Sequence, residues 1–343
     1  MRLPAEWEIQ SGIQLTWPHE NTDWGYMLKE VQACFVRIAY EIACRELLLV
    51  VTPAVKDVRI QLEHGGVDMR HVVFVTCDTN DTWARDHGAI TLVDEEGGRV
   101  LLDFAFNGWG LKFAADKDNL ITRQLCSQGA LRGAYINRTG FVLEGGSIET
   151  DGKGTLLTTS ECLLSPNRNG EMIRKDIEDY LCKTLNQKRI LWLDYGSLQG
   201  DDTDSHVDTL ARMCPGDTIA YVRCTDKTDS HYESLRKMEE QLRSFRTLSG
   251  EPYHLLLLPF PDRIDDENGY RLPATYANFL VMNGAVLYPT YAQPDNDKLA
   301  GEVLKQAFPH RDIVGVDCRA LIRQHGSLHC VTMQYPTGVI AWV

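Results

Sequence analysis

A unit of two short strands, a helix and a third strand recurs along this chain, and the repetition restricts its possible folds more than any other feature. The clearest copy begins at 146–164, where "DGKG" is a turn signal between two segments of alternating polarity. A helical stretch at 170–185 and an apolar segment at 189–196 follow it. Comparable turns, "EEGG", "CPGD" and "NG", separate paired strands in three other copies.

The copies divide the sequence into five modules. Their approximate ranges are 10–85, 86–143, 144–204, 205–276 and 277–343, of which the first is the loosest and has a longer helix. Because one such module cannot bury its own apolar face, it must pack against its neighbours. We therefore predict an α/β fold, a five-bladed pseudo-symmetric propeller of ββαβ modules that forms a single domain over 1–343. An open doubly wound sheet is the alternative, but a hairpin in every module favours mixed strand pairing.

Charge and hydropathy exclude several classes of partner. The net charge is −13, which argues against nucleic acid and suits a small cationic ligand. No apolar run approaches the roughly 18 residues of a membrane helix, so we expect no membrane association and interpret 47–51 and 255–260 as buried strands. The N-terminal segment lacks the features of a secretory signal, which predicts a cytoplasmic protein.

The chain has ten cysteines but no C-x-x-C pair, so neither a zinc site nor a disulfide framework is expected. Most of these cysteines should be core residues, and at most one or two should take part in chemistry. The acidic run at 201–204 superficially resembles a calcium loop but lacks the required spacing, and a turn or capping role is favoured. We expect no metal.

Polar side chains stand at equivalent places, at or just before the first strand of each module. Pseudo-symmetry would direct them to one central site, and the adjacent glycines would allow a close approach of a ligand. The residues are Asp86, Glu144, His206, Asp208, Asn278 and, where the chain would enter the first module again, Cys330.

These residue types predict chemistry on a cation. A cysteine near a histidine is a typical activated nucleophile, whereas several carboxylates oppose ionisation of the thiol and would repel an anionic substrate. A guanidinium is planar, has five N–H donors and matches carboxylates well. Cys330 would attack the guanidinium carbon and His206 would shuttle protons, so that ammonia leaves and water enters. The alternatives are a core cysteine and a structural ion pair between Asp86 and Arg85.

Six segments of the chain resemble the agmatine deiminase family, which includes bacterial peptidylarginine deiminases. They are "WPHENTDW", "NDTWARDHG", "FNGWG", "LEGGSIETDGKGTLLTTSECLLSPNRN", "GDDTDSHVD" and "LHCVTMQ". The resemblance spans nearly the whole chain and implies the five-module pentein fold. It also implies hydrolysis of agmatine to N-carbamoylputrescine and ammonia, a step of putrescine biosynthesis, with no metal or organic cofactor. Relatives commonly assemble as homo-oligomers.

By the same resemblance, Cys330 is the nucleophile that forms a covalent amidino-cysteine intermediate, and His206 is the general acid/base. Glu144 pairs with the catalytic histidine, and Asp86 and Asp208 bind the guanidinium. Further pocket candidates are Trp83, where a cation–π contact is expected, Asn107, Trp109 and Trp17, for which simple packing is the alternative.

The chain departs from the family pattern at several positions that flank these residues. Before the cysteine segment, this chain has His-Gly-Ser at 325–327 where the family usually has glycines followed by asparagine. Ser205 and Thr209 replace glycine and asparagine around the histidine, and 87–89 is His-Gly-Ala rather than Thr-Gly-Pro. The reacting groups are retained, so the sequence predicts deimination but leaves free arginine and peptidyl-arginine as alternatives to agmatine. An amidinotransferase, which would pass the amidino group to an amine, and a non-catalytic cation-binding protein are less favoured. The sequence leaves three roles open, those of His87, His325 and His329.

Overall fold

The computed structural model describes residues 1–341, and within them the strands form five small sheets. The strands are, in chain order, β1 Gln10–Thr16, β2 Leu47–Thr52, β3 Val72–Thr76, β4 Ile90–Val93, β5 Arg99–Ala105, β6 Ala134–Val142, β7 Ile148–Thr150, β8 Thr155–Thr159, β9 Arg189–Leu193, β10 Ala211–Cys214, β11 Thr218–Val222, β12 His254–Leu258, β13 Leu280–Met282, β14 Ala285–Thr290, β15 Asp312–Asp317 and β16 Thr332–Pro336.

Helices connect many of these strands. The helical segments are Leu28–Ala43, Val55–His64, Ala84–His87, Gly108–Leu111, Ile121–Ser127, Ser160–Leu163, Pro166–Asn169, Arg174–Thr184, Tyr232–Ser244 and Pro294–Ala307. Short 3₁₀ turns occur at Gly25–Met27, Met69–His71, Asp118–Leu120, Gly145–Ser147, Val207–Thr209 and Leu321–Gln324. Along the described chain, no helix combines the length and the apolar character that crossing a bilayer requires.

Four of the sheets share one topology, in which an antiparallel hairpin is followed by a helix and a strand parallel to the second hairpin strand. They are β4-β5-β6, β7-β8-β9, β10-β11-β12 and β13-β14-β15. The hairpin turns of these sheets contain Gly97, Gly152, Gly216 and Gly284, with φ between +69° and +85°. Glycine adopts this left-handed conformation without steric cost, which explains the turn signals. The predicted ββαβ repeat is thus confirmed.

One compact unit contains Glu8–Gly145 and the described part of His329–Val343, together with Met1. Its first sheet has the order β16-β1-β2-β3, in which β16 is antiparallel to β1, and β1 is parallel to β2. The C-terminal strand therefore supplies the hairpin partner that the first module lacks. Cys330 lies two residues before β16, at the module entrance where the repeat predicted it.

The second compact unit contains Arg2–Trp7 and Gly146–Leu328, with the other three three-stranded sheets from β7 to β15. The buried guanidinium of Arg212 holds the N-terminal segment in this unit. It donates to the carboxylates of Glu6 and Glu149 and to the backbone carbonyls of Ala277 and Phe279. A single domain over 1–343 stays a prediction, and its last two residues lie outside the described range.

The two apolar runs differ in burial. The run at 47–51 forms β2, whose residues are almost all buried, as predicted. The run at 255–260 contributes to β12, which is half-exposed, with Leu257 40% exposed. The prediction of a buried strand is wrong there because β12 is the edge strand of its sheet and pairs only with β11.

Candidate active site

The short helix Ala84–His87 carries Asp86, the first of the predicted carboxylates. All four side chains of this helix are buried, and Asp86 is 3% exposed. The indole N–H of Trp109 donates to Asp86 Oδ2 at 2.9 Å. Because a buried carboxylate is costly without hydrogen-bond donors, this bond both stabilises and orients the acid.

Aromatic rings surround this acid. The rings of Trp83 and Trp109 meet edge to face at 6.3 Å, and Trp24 lies 5.7 Å from Trp83 on a tilted plane. The indole N–H of Trp83 donates to Asp81 Oδ2 at 3.0 Å. Burial and the nearby Asp118 carboxylate raise the pKa of Asp81 to about 7. Trp83 and Trp109 thus belong to one buried aromatic cluster, and Trp109 links that cluster to Asp86; the cation–π contact of Trp83 stays a prediction.

Cys330 is buried and lies in the turn that leads into β16. Its carbonyl oxygen accepts the backbone N–H of Arg85 at 3.2 Å. The carbonyl oxygen of His329 accepts both the backbone N–H and the hydroxyl of Thr332, at 3.0 and 2.9 Å. The cysteine turn is therefore tied to the residue that precedes Asp86, although the two are far apart in sequence.

Glu144 is fully buried and follows β6. The next residue, Gly145, lies so close to the helix Ala84–His87 that a β-carbon on it would stand 2.2 Å from the carbonyl oxygen of Arg85. This glycine therefore permits backbone packing, whereas the sequence predicted room for a ligand. The backbone of Arg85 therefore contacts both the segment that carries Glu144 and the turn that carries Cys330. Asp86 is the next residue after Arg85.

His87 follows Asp86 directly and is a core residue. Its Nε2 lies 3.3 Å from the hydroxyl of Thr16, and its ring packs on Phe106 at 6.2 Å. Burial lowers the pKa of His87 to about 3, so the ring is neutral at physiological pH. A structural role is therefore favoured.

Trp17 and Asn107 have clear structural contacts. Trp17 packs edge-on against Phe35 at 5.5 Å and donates its indole N–H to Gln61 at 3.2 Å, which favours packing over substrate contact. The side-chain oxygen of Asn107 accepts the backbone N–H of Gly110 at 2.9 Å and so shapes the turn that carries Trp109.

In the second unit, the loop before His206 adopts an unusual backbone conformation. Asp204 and Ser205 have φ of +61° and +62°, which non-glycine residues rarely adopt. The buried guanidinium of Arg168 donates to Asp204 Oδ2 at 2.6 Å and to the carbonyl of Thr203 at 2.9 Å. The hydroxyl of Ser205 donates to Glu161 Oε2 at 2.8 Å. Several tertiary bonds thus hold the strained pair in place.

Of the two roles predicted for the acidic run, a turn and a helix cap, Asp201 shows the turn role. Its carboxylate accepts the backbone N–H of Ser205 at 2.7 Å and the hydroxyl of Thr203 at 2.6 Å. His325, whose role the sequence left open, adds another tie, since its Nδ1 lies 2.7 Å from the carbonyl oxygen of Gly200.

His206 and Asp208 lie within three residues of each other and are both fully buried. His206 precedes the 3₁₀ turn Val207–Thr209, and its carbonyl accepts the hydroxyl of Thr209 at 2.8 Å. The amide of Asn278 donates to the carbonyl of Asp208 at 3.4 Å. Three of the residues at module entrances, His206, Asp208 and Asn278, are therefore neighbours.

Sequence reasoning missed two residues near His206. Cys162 was assigned only to the core, yet its sulfur lies within 4.8 Å of a ring nitrogen of His206. Arg168, which fixes the strained loop, was not singled out at all. Both lie in the family-like segment 143–169, but their contacts arise only in the fold, and the segment alone does not single them out.

Comparison with known proteins places the chain in a family. Residues 2–336 match the Porphyromonas-type peptidyl-arginine deiminase family. A Photobacterium profundum protein provisionally named agmatine deiminase is 34% identical, over 98% of this chain and 96% of its own.

Solved structures match over similar lengths. A Porphyromonas gingivalis protein provisionally named arginine deiminase is 51% identical, with 99% of both chains covered and a TM-score of 0.92. C. jejuni agmatine deiminase, solved as a cysteine-to-serine variant with substrate bound, is 38% identical, with 98% of this chain and 97% of that chain covered and a TM-score of 0.90. The predicted pentein fold is thereby confirmed. The chain belongs to the Porphyromonas-type peptidyl-arginine deiminase family.

Proposed function

We propose that this protein is a C–N hydrolase that converts agmatine and water to N-carbamoylputrescine and ammonia. Family membership supports deimination, and the agmatine deiminases of C. jejuni and Enterococcus faecalis, 38% and 30% identical, support agmatine as the substrate. The observation that carries the proposal is the bond between the Cys330 carbonyl and the Arg85 N–H. It joins the proposed nucleophile to the segment that bears a buried carboxylate suited to a guanidinium.

In the proposed first step, Asp86 and Asp208 bind the guanidinium N–H groups. The Cys330 sulfur attacks the guanidinium carbon, and the thiol proton passes to His206. His206 donates a proton to one terminal nitrogen, the C–N bond breaks, and ammonia leaves. The product of this step is a thiouronium, in which the carbon is bonded to sulfur and to the remaining substrate.

In the second step, His206 removes a proton from water, which attacks the same carbon. The carbon–sulfur bond breaks, the ureido product forms, and the thiol is restored. Glu144 would support the charged form of the histidine through this cycle. The positive substrate also helps its own activation, because a bound guanidinium favours the thiolate that neighbouring carboxylates disfavour.

Free arginine or peptidyl-arginine is the second candidate substrate, which the 51% identical Porphyromonas gingivalis structure favours by its name. A cavity of about 360 Å³ next to Trp109 is lined by both Asp81 and Lys112. Its charges therefore suit neither an amine tail nor a carboxylate tail exclusively. Ammonia release from agmatine, arginine and a blocked arginine peptide, measured side by side, would separate the candidates. An amidinated acceptor in place of a ureido product would instead indicate an amidinotransferase.

The proposal includes a cytoplasmic location, a small cationic guanidino substrate and assembly as a homo-oligomer. A reducing compartment is compatible with the ten cysteines, all within the described residues, because no disulfide joins them. The chemistry as written requires neither a metal nor an organic cofactor.

The direct test replaces Cys330 with serine and measures ammonia release from agmatine. We expect turnover to fall below detection, since a serine hydroxyl is a far weaker nucleophile than a thiolate. Cys34→Ser, a change at a buried cysteine in the helix Leu28–Ala43, is the matched control and should keep wild-type turnover. Full activity in the Cys330 variant would refute the proposal.

A further inference from the structure

Residues 108–111 form a left-handed helical turn. Gly108, Trp109, Gly110 and Leu111 have φ of +69°, +56°, +83° and +68° in succession. Glycine tolerates these angles, but Trp109 and Leu111 do not adopt them without strain. Such strain persists only where the surrounding structure imposes it, and it is often found at functional sites.

Burial within the turn is uneven. Gly108, Trp109 and Gly110 are buried, whereas Leu111 is 74% exposed, so any benefit of burial falls on the Trp109 side of the turn. The turn is closed by bonds from the N–H groups of Leu111 and Lys112 to the carbonyls of Asn107 and Gly108, both 3.0 Å. A β-carbon on Gly108 would stand 2.2 Å from the carbonyl oxygen of Phe113, so this geometry requires glycine there.

What the turn does achieve is the placement of one indole. Trp109 is 7% exposed, and two rings besides Trp83 hold it edge-on, Phe106 at 5.0 Å and Phe113 at 5.5 Å. With its ring fixed in this way, its N–H points at Asp86 Oδ2, 2.9 Å distant.

We propose that Trp109 is a positioning residue for Asp86, and that the strained turn is retained because it delivers this hydrogen bond. The inference rests on the proposed function, in which Asp86 binds the guanidinium. A carboxylate pairs well with a planar guanidinium only when its own plane is fixed, and misplacement of about 1 Å can reduce a rate about 100-fold. Trp109 acts on the substrate through the orientation of the acid.

The test is Trp109→Phe, which keeps an aromatic ring and removes the N–H. We expect kcat/KM for agmatine to fall by about 10- to 100-fold. In the Cys330→Ser background, the Kd for agmatine measured by calorimetry should rise by at least about fivefold.

Trp192→Phe is the matched control. The indole N–H of Trp192 donates to Glu178 Oε1 at 2.8 Å and the residue is 6% exposed, so a bond from an indole to a carboxylate is lost here too, although Glu178 is more exposed than Asp86. We expect Trp192→Phe to lose no more thermal stability than Trp109→Phe and to keep kcat/KM within about twofold of the wild type.

A double mutant distinguishes this role from a merely structural one. Trp109→Phe is combined with Asp86→Asn, and the Kd for agmatine is measured in the Cys330→Ser background. If Trp109 acts through Asp86, the effect of Trp109→Phe on Kd disappears once the acid is gone. An equal effect with and without Asp86→Asn would overturn the proposal, as would a Trp109→Phe enzyme with wild-type kcat/KM. If Trp109→Phe does not fold, Gly110→Ala takes its place, because it strains the turn at φ +83° and leaves the indole in the chain. The same effects on kcat/KM and Kd, and the same loss of the Kd effect with Asp86→Asn, are then expected. Absence of ammonia release from agmatine by the wild type would instead refute the proposed function.

Discussion

Ser205 is the residue before the proposed general acid/base. Whether Ser205→Gly or Ser205→Ala is the more stable variant tests the strain in this loop. Its φ of +62° costs a non-glycine residue about 1–2 kcal/mol. Its hydroxyl donates to Glu161, and a hydrogen bond to a charged group contributes about 1.5–3 kcal/mol. Ser205→Ala loses the bond and keeps the strain, whereas Ser205→Gly loses the bond and relieves the strain.

Glycine is less favourable than alanine by about 0.5–1 kcal/mol, because its unfolded chain is more flexible. The strain that glycine relieves is larger than this cost of glycine. Ser205→Gly should therefore be more stable than Ser205→Ala by roughly 1 kcal/mol. Both variants should be less stable than the wild type. The measurement is the free energy of unfolding from urea titrations at neutral pH, followed by kcat with agmatine, which should fall in both because His206 is less firmly held.

Ser234, in the helix Tyr232–Ser244, supplies the control because the same two substitutions there should rank in the opposite order. In a helix, alanine is more stable than glycine by about 1 kcal/mol. If Ser205→Ala proves as stable as Ser205→Gly while Ser234 behaves as expected, the strain assigned to the His206 loop does not exist.

Three further substitutions probe the frame of the site. His87 has a pKa lowered by burial from 6.5 to about 3, so below pH 6.5 the unfolded chain binds a proton that the folded chain does not. As the pH falls below 6.5, the wild type should therefore lose about 1.4 kcal/mol of unfolding free energy per pH unit relative to His87→Gln. If urea titrations give the same difference in unfolding free energy between the two proteins at pH 7 and at pH 5, the prediction is wrong. Arg168→Met removes the 2.6 Å ion-pair partner of Asp204, whose side chain is 25% exposed, and should lower the unfolding free energy by about 1.5–3 kcal/mol and also lower kcat. Unchanged kcat would show that the loop does not need this tie. Gly145→Ala places a methyl group against the Arg85 carbonyl and should lower stability by at least about 1–3 kcal/mol, so a thermal midpoint equal to that of the wild type would rule out the close approach.

The repeat was readable from the sequence because its signals are local. Alternating segments around glycine-containing turns predict hairpins, and Gly152 and Gly284 do have the positive φ that such turns need. The repeat also predicted that the segment with Cys330 would lead back into the first module. The pairing of β16 with β1 confirms this.

The details of the site were less predictable, since they depend on contacts distant in sequence. Asn107 and Trp109 were pocket candidates, but nothing in the sequence indicates that Trp109 and Leu111 share the left-handed conformation. Cys162 looks like any core cysteine, because its place beside His206 is a contact between residues more than 40 positions apart. The exposure of Leu257 also lay beyond sequence reasoning, as an apolar run does not indicate which strand lacks a neighbour.

In the proposed mechanism, Cys330 bonds covalently to the carbon of a guanidinium. Acid quenching of the enzyme during turnover of agmatine, followed by mass spectrometry of its peptides, detects this bond. We expect an adduct on Cys330 whose mass equals that of agmatine less one ammonia, absent from the Cys330→Ser variant. Ammonia release with no adduct on Cys330, or with the adduct on Cys162, would contradict it.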